Sequence, residues 1–208
     1  MFPHCLIDYL NDKNGFIEEA AQLEKEAISI IRNNLQDLEL NGRCYAFLLR
    51  SMAPDISSLL DVFIYIGQTS AIDSVHRLAR HIKSIVTASN QMTTQSQHLY
   101  EYIANAINNK QDVFMHDVNK DVAKEESEFD EHCVILFLYS SPLLQNNQVG
   151  KPTKFSNFDN INMDDFAKIG CYKIVSLLKN VDLNKALNFK TKLPNDFNKS
   201  YMTGKVET

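Results

Sequence analysis

Turn formers are scarce in this chain: it has six glycines, five prolines and no tryptophan in 208 residues. Such scarcity disfavours a sandwich or barrel of many short strands, which needs a turn roughly every eight to twelve residues. The four cysteines, Cys5, Cys44, Cys133 and Cys171, stand far apart with no C-x-x-C pair, which indicates neither a zinc module nor a disulfide framework. The longest apolar run, Cys133 to Tyr139, is too short to cross a bilayer. The start, MFPHCLIDYLNDK, lacks the basic residues and long apolar stretch of a signal peptide. These absences lead us to expect a reduced protein of the cytoplasm or nucleus. Also missing are a glycine-rich phosphate loop, a G-x-S-x-G elbow and an H-E-x-x-H pair. The expectation is therefore a protein that is not an enzyme.

What is present is ordinary for a soluble globular chain: 44% hydrophobic and 23% charged residues. A net charge of −5 gives no strong nucleic-acid signal, since a general nucleic-acid binder carries a basic footprint. The charge is unevenly spread. Asp117, Asp121, Glu125, Glu126, Glu128, Asp130 and Glu131 stand against Lys120 and Lys124, whereas Lys185, Lys190, Lys192, Lys199 and Lys205 stand against Asp196.

Apolar residues recur mainly at helical spacing. Phe16, Ala20, Leu23, Ala27, Ile30 or Ile31, Leu35 and Leu38 predict one long helix after an NDKNG turn, closed by Asn41-Gly42. Residues 43–52 predict a short apolar helix or a continuation of the first, broken at Pro54, with Asp55 opening the next helix. Ile56, Leu59, Leu60, Phe63, Ile66, Val75, Leu78, Ala79, Ile82, Ile85 and Val86 keep their phase to about residue 88, although GQTS at 67–70 interrupts them. The favoured expectation is one continuous helix. The alternative is a fresh start capped by Ser70, with Asp73 at capping-box spacing. A polar connector, a helix over 98–107, a turn at 108–110 and a long helix over 112–139 follow, with VILFLY (134–139) open to being a strand. Residues 140–162 predict a loop. Phe166, Ile169, Ile174, Leu177, Leu178 and Val181 sketch a last helix before a basic tail.

Two groups are candidates for sites. On a helix over 112–139, Asp117, Asp121, Glu125, Glu128 and His132 share one face, the arrangement of carboxylates and imidazole that a divalent metal needs. A solvated acidic stripe explains the same pattern, so no cofactor is expected although a divalent metal is possible. His76, Arg77, Arg80, His81 and Lys83 form a basic stretch suited to an anion or an acidic partner helix. Cys44 and Cys133 lie on apolar stripes, where a cysteine acts as a small core residue.

RCYAFLLRSMAPDIS followed by SAIDSVHRLARHI resembles the central part of a PhoU-type repeat. Ala53-Pro54-Asp55-Ile56 matches the family's helix start, Asp73 aligns with its final aspartate after one gap, and Leu78-Ala79 follows at the family spacing. The resemblance implies two three-helix bundles, a regulator of phosphate uptake and, in some members, an iron or zinc cluster. The family's glutamate, arginine and glycine fall on Thr69, Ser70 and Ile72, so its cluster-binding motif is not preserved.

The sequence thus predicts an all-α antiparallel bundle of long amphipathic helices over residues 1–139, a linker over 140–162, and a C-terminal helix with a flexible basic tail over 163–208. The expected function is non-enzymatic: interaction or regulation through helix–helix contacts with protein partners or by self-association. A PhoU-like regulator is the alternative, and a metal-dependent helical protein is third.

Overall fold

The computed structural model describes residues 4–49, 62–70, 74–87, 97–139, 141, 144–146, 161–180, 186–189 and 191. The expected break at Pro54 and Asp55, the polar connector, Asp73, most of the linker and most of the basic tail lie outside these residues.

The all-α bundle is not what forms. The chain runs α1 (His4–Asn11), α2 (Lys13–Asn33), β1 (Gly42–Leu49), β2 (Phe63–Thr69), α3 (Ser74–Thr87), α4 (Gln97–Asn108), β3 (Val113–Val122), α5 (Lys124–Leu138), α6 (Met163–Asn180) and β4 (Leu187–Asn188). A four-stranded antiparallel sheet of order β2-β1-β3-β4 lies at its centre. The bundles implied by the PhoU resemblance require residues 43–52 to be helical, but Arg43 to Leu49 form β1.

Helical periodicity misled here for a physical reason. Cys44, Ala46 and Leu48 pack into a core with α1, α2, α5 and α6, while Tyr45, Phe47 and Leu49 pack into a second core with α3 and α4. A strand covered by helices on both faces is apolar at every position, and a run of that kind carries no period-2 signature. The register between β1 and β2 shifts between Phe47 and Leu48, so Phe63 and Ile66 face the first core and Ile64 the second. That irregular spacing imitates steps of three.

The predicted helix over 112–139 also divides. Lys110 (φ 62°) turns the chain out of α4, β3 runs to Val122, and Asp121 (φ 57°) takes the left-handed conformation where the pairing of β1 and β3 shifts register. The following α5 contains most of VILFLY. Other expectations hold in part. The α4 helix covers its periodic stretch, but α2 begins inside the expected turn and stops at Asn33, short of Leu35 and Leu38, with Gly42 opening β1 instead of closing the helix. The last expected helix is spanned by α6, with Asn162 and Asp165 exchanging capping bonds of 3.0 and 3.1 Å.

Both sheet edges are partly covered. β4 pairs with Phe114 and Met115 outside β3. Beyond β2, the Gln145 amide donates to the Ile64 carbonyl (2.7 Å), and the Asn146 side chain receives the Ile66 amide (2.9 Å) while donating to its carbonyl (2.8 Å). An amide side chain thus copies the pairing of a neighbouring strand and holds the stretch leading to Gly67. Gly170 lets α6 approach α5 closely, since a Cβ there would overlap the Cys133 carbonyl. Among the described residues, no helix is long and apolar enough to cross a membrane.

Candidate functional site

Antiparallel pairing places Gly67 opposite Tyr45 and Tyr65 opposite Phe47, and all four belong to the sheet face under α3 and α4. Gly67 has to be glycine for lack of room: a Cβ there would stand 2.5 Å from Tyr45 Oη and 2.7 Å from the Tyr65 ring. The gap left by that side chain is where the Tyr45 hydroxyl sits.

Two residues of α3 reach this hydroxyl because they lie four apart and therefore share a helix face. Arg77 Nε donates to Tyr45 Oη at 2.9 Å, and His81 Nε2 lies 2.9 Å from the same oxygen. The Arg77 guanidinium also stands over the Tyr45 ring, 5.7 Å from its centroid. A further hydrogen bond joins Tyr45 and Tyr65. Behind His81, the Tyr100 hydroxyl of α4 lies 3.2 Å from Nδ1. The imidazole is wedged edge-on against Phe47, with ring centroids 4.8 Å apart.

A further charge comes from the other side of the sheet. Glu131, on α5, accepts a hydrogen bond from the backbone of Gln68 at the end of β2, and its charge is felt by both Tyr45 and Tyr65. Burial raises the Glu131 carboxyl to about 7; repulsion from Glu128, one turn earlier, adds to this, and Arg77 and the Gln68 amide oppose it.

The other groups are displaced as well. Burial, and then the adjacent Arg77 charge, lower His81 to about 3, so its ring is neutral at physiological pH. Burial raises Tyr65 to about 12 and holds Tyr45 well above the ordinary phenol range. Here a neutral imidazole, a guanidinium and a second protonated phenol converge on the Tyr45 hydroxyl, and a carboxyl near its midpoint meets the end of β2.

The two groups expected from sequence fare differently. Of the basic stretch, Arg77 and His81 turn inward to Tyr45, while His76, Arg80 and Lys83 are exposed on the outer side of α3. The acidic group does not share one helix face, because Asp117 and Asp121 belong to β3. Asp117 accepts from Ser74 Oγ (2.6 Å) and Arg43 Nη1 (3.1 Å), and Asp121 accepts from Arg43 Nη2 (3.3 Å). Glu125 occupies the first turn of α5, Glu128 lies 3.8 Å from Lys124, and His132 is buried with its ring 5.4 Å from that of Phe166. Among the described residues, no three His, Cys, Asp or Glu side chains are grouped to hold a metal ion. Burial also raises the Cys44 and Cys133 thiols well above their usual range, which leaves them unreactive.

Tyr45, Tyr65 and Glu131 escaped the sequence reading as site residues, while Gly67 was expected at a close packing point, though within a helix. The tyrosines sit inside apolar runs, where an aromatic ring reads as core filling, and Glu131 sits in an acidic run. A usable signal was present in FIYIGQT: a glycine within a run of aromatic and β-branched residues marks a strand where something approaches closely. No protein family, curated protein or solved structure matches this chain.

Proposed function

We propose that the protein is a divalent-metal-dependent phosphodiesterase acting on a polyanionic chain, with the phosphodiester backbone of a nucleic acid as the substrate class. One observation carries the reading: the buried Tyr45 hydroxyl is held at 2.9 Å by both Arg77 Nε and His81 Nε2, with the Glu131 charge felt from across the sheet. Acid–base groups with displaced pKa values, gathered around a guanidinium, are the marks of a site that moves protons next to an anion.

Each residue has a part in such a reaction. Arg77 is the phosphate-facing group, with donors on its guanidinium beyond the Nε that holds Tyr45. Tyr45 Oη takes a proton from the attacking water, which displaces the Tyr65 hydroxyl from it, and passes its own to His81 Nε2. Burial and Arg77 make that imidazole a weak base, so it carries the proton only in passing. The water oxygen bonds to phosphorus, the phosphorus–oxygen ester bond breaks, and the leaving oxygen takes the proton that His81 Nε2 releases, which returns the imidazole to its neutral form. Glu131 is the carboxylate that would hold a divalent cation, since magnesium is commonly held by one or two carboxylates together with waters and substrate phosphate oxygens. When bound there, the metal supplies neutralisation of the phosphate charge.

The outer side of α3 supports a chain-like substrate. The helix SVHRLARHIKSIVT has no acidic residue, and exposed Arg80 and Lys83 lie on the element that carries Arg77. The chain's net charge of −5 is an average over regions and does not describe this helix. The proposal departs from the expectation of a non-enzymatic protein because of the Tyr45 cluster, and it moves the metal from the acidic group of sequence to Glu131.

The test is cleavage of end-labelled single- and double-stranded DNA and RNA with magnesium or manganese. Cleavage that stops on chelation and in Glu131→Gln supports the proposal. Wild-type protein inert on all four substrates, or a fully active Glu131→Gln variant, overturns it. A second reading, a non-enzymatic interaction protein, is favoured by exposed Ile7 and Leu10 on α1 and by exposed Leu38 and Leu40. Light scattering decides that reading, which requires a stable oligomer or complex.

A further inference from the structure

We infer that Tyr100, on α4, is a positioning residue that holds the His81 imidazole in its Nδ1–H form, so that the Nε2 lone pair is aimed at the Tyr45 hydroxyl. The inference rests on the phosphodiesterase reading for its purpose but not for its geometry.

The argument begins with the hydrogen bonds available to Tyr45 Oη, which can donate one and accept two. Arg77 Nε has only a proton to give, so it donates. The single Tyr45 proton then goes to His81 Nε2 or to the Tyr65 hydroxyl. The imidazole nitrogen is the more basic acceptor and takes it, and Tyr65 fills the remaining place by donating to Tyr45. His81 is buried and neutral, so it carries one N–H. With Nε2 accepting, that proton is on Nδ1, and Tyr100 Oη lies 3.2 Å away to receive it.

The donors then run in one direction, from Arg77 to Tyr45 to His81 to Tyr100. A chain of this kind strengthens each member by polarising the next. Other contacts leave the tautomer open. The groups facing the ring are Tyr45 and Phe47 from β1, Tyr65 from β2, Arg77 from its own helix and Tyr100 from α4. Phe47 has no hydrogen-bonding group, Tyr65 makes a ring contact, and Arg77 acts through its charge. Tyr100 is half-buried, so its own proton has access to solvent.

The experiment uses the full chain with 15N-labelled histidine and reads the His81 tautomer from two-bond proton–nitrogen correlations near neutral pH. Wild type is expected in the Nδ1–H form. Tyr100→Phe removes the acceptor and moves His81 to the Nε2–H form or to a mixture. Tyr100→Gln, which offers a carbonyl without the ring, restores the Nδ1–H form and guards against a folding defect in the phenylalanine variant. For cleavage, Tyr100→Phe lowers kcat by about tenfold with KM unchanged, the size of effect seen when an orienting partner is removed. An Nε2–H tautomer in wild type, or the same tautomer in wild type and Tyr100→Phe, overturns the inference. Wild-type protein without phosphodiesterase activity removes the catalytic reading alone, because the tautomer measurement still decides the role of Tyr100.

Discussion

The two faces of the sheet each bury a polar cluster, and the clusters differ in how their charges are met. Toward α2, α5 and α6, Lys173 Nζ lies 2.8 Å from Asp130 and also pairs with Glu24, and Asn119 donates to the other Asp130 oxygen at 2.7 Å. Nearby, Arg32 grips Glu126 with bonds of 2.5 and 3.2 Å. Burial alone would lower the Lys173 ammonium, but Asp130 and Glu24 outweigh it and hold it above its ordinary value. Toward α3 and α4, by contrast, the Arg77 guanidinium is bonded to a neutral phenol, His81 is stripped of its proton, and Glu131 is left near its midpoint. The first cluster is neutralised within the fold and serves architecture. The second is left electrostatically unfinished, which is what the proposed phosphodiesterase site would require.

The largest expected effect breaks the second cluster. Arg77→Ala should reduce phosphodiester cleavage by about 10³-fold, the scale for losing a charge-stabilising donor, with little change in Tm. Cleavage rate and thermal melting measured on the same sample check this. The mirror experiment is Lys173→Ala, which leaves Asp130 buried without its ammonium and should cost about 3–5 kcal/mol in chemical denaturation. A Lys173→Met, Asp130→Leu double variant should recover much of that loss. Were Lys173→Ala silent in stability, the contrast between the two clusters would collapse.

Gly67→Ala acts on both properties. Its methyl group has to displace the Tyr45 hydroxyl or the Tyr65 ring, for a cost of about 1–3 kcal/mol and loss of the Arg77 and His81 geometry. Urea denaturation and the cleavage assay together report it.

The pH dependence of stability separates the clusters in another way. His81 has a folded-state value of about 3 against an ordinary 6.5, so below pH 6.5 the unfolded chain binds a proton that the folded chain refuses. Stability from this residue is complete above pH 6.5 and is lost as the pH falls toward 3. The loss is about 2 kcal/mol between pH 6.5 and 5. His81→Gln should flatten that slope, which denaturation midpoints across the range will show. The smallest effect is Lys168→Ala, which breaks an ion pair with exposed Glu19 (2.6 Å) and should shift stability by no more than about 0.5 kcal/mol.

How legible these features were depended on which neighbours define them. The α2, α4 and α6 helices were visible because each buries an apolar stripe along one side, so burial leaves a period of three to four in the sequence. β1 was not, because Cys44 to Leu49 are buried on both faces and the periodicity vanishes. The site divided along the same line. Arg77 and His81 were picked out because basic residues cluster over 76–83, a signal that lies along the chain. Tyr45, Tyr65 and Glu131 went unnoticed since their meaning comes from partners far along the chain.

What the sequence determined by itself is therefore local: the approximate positions of α2, α4 and α6, the absence of a long apolar span in any described helix, and the basic run that holds Arg77 and His81. Only the tertiary structure decided that 42–49 and 63–69 pair as strands, that Gly67 clears space opposite Tyr45, and that Glu131 arrives from the far side of the sheet. Helix propensity and capping act within a few residues and can be read along the chain. Strand pairing and the assembly of a site depend on contacts across the fold, whose energy exists only once the whole core has closed.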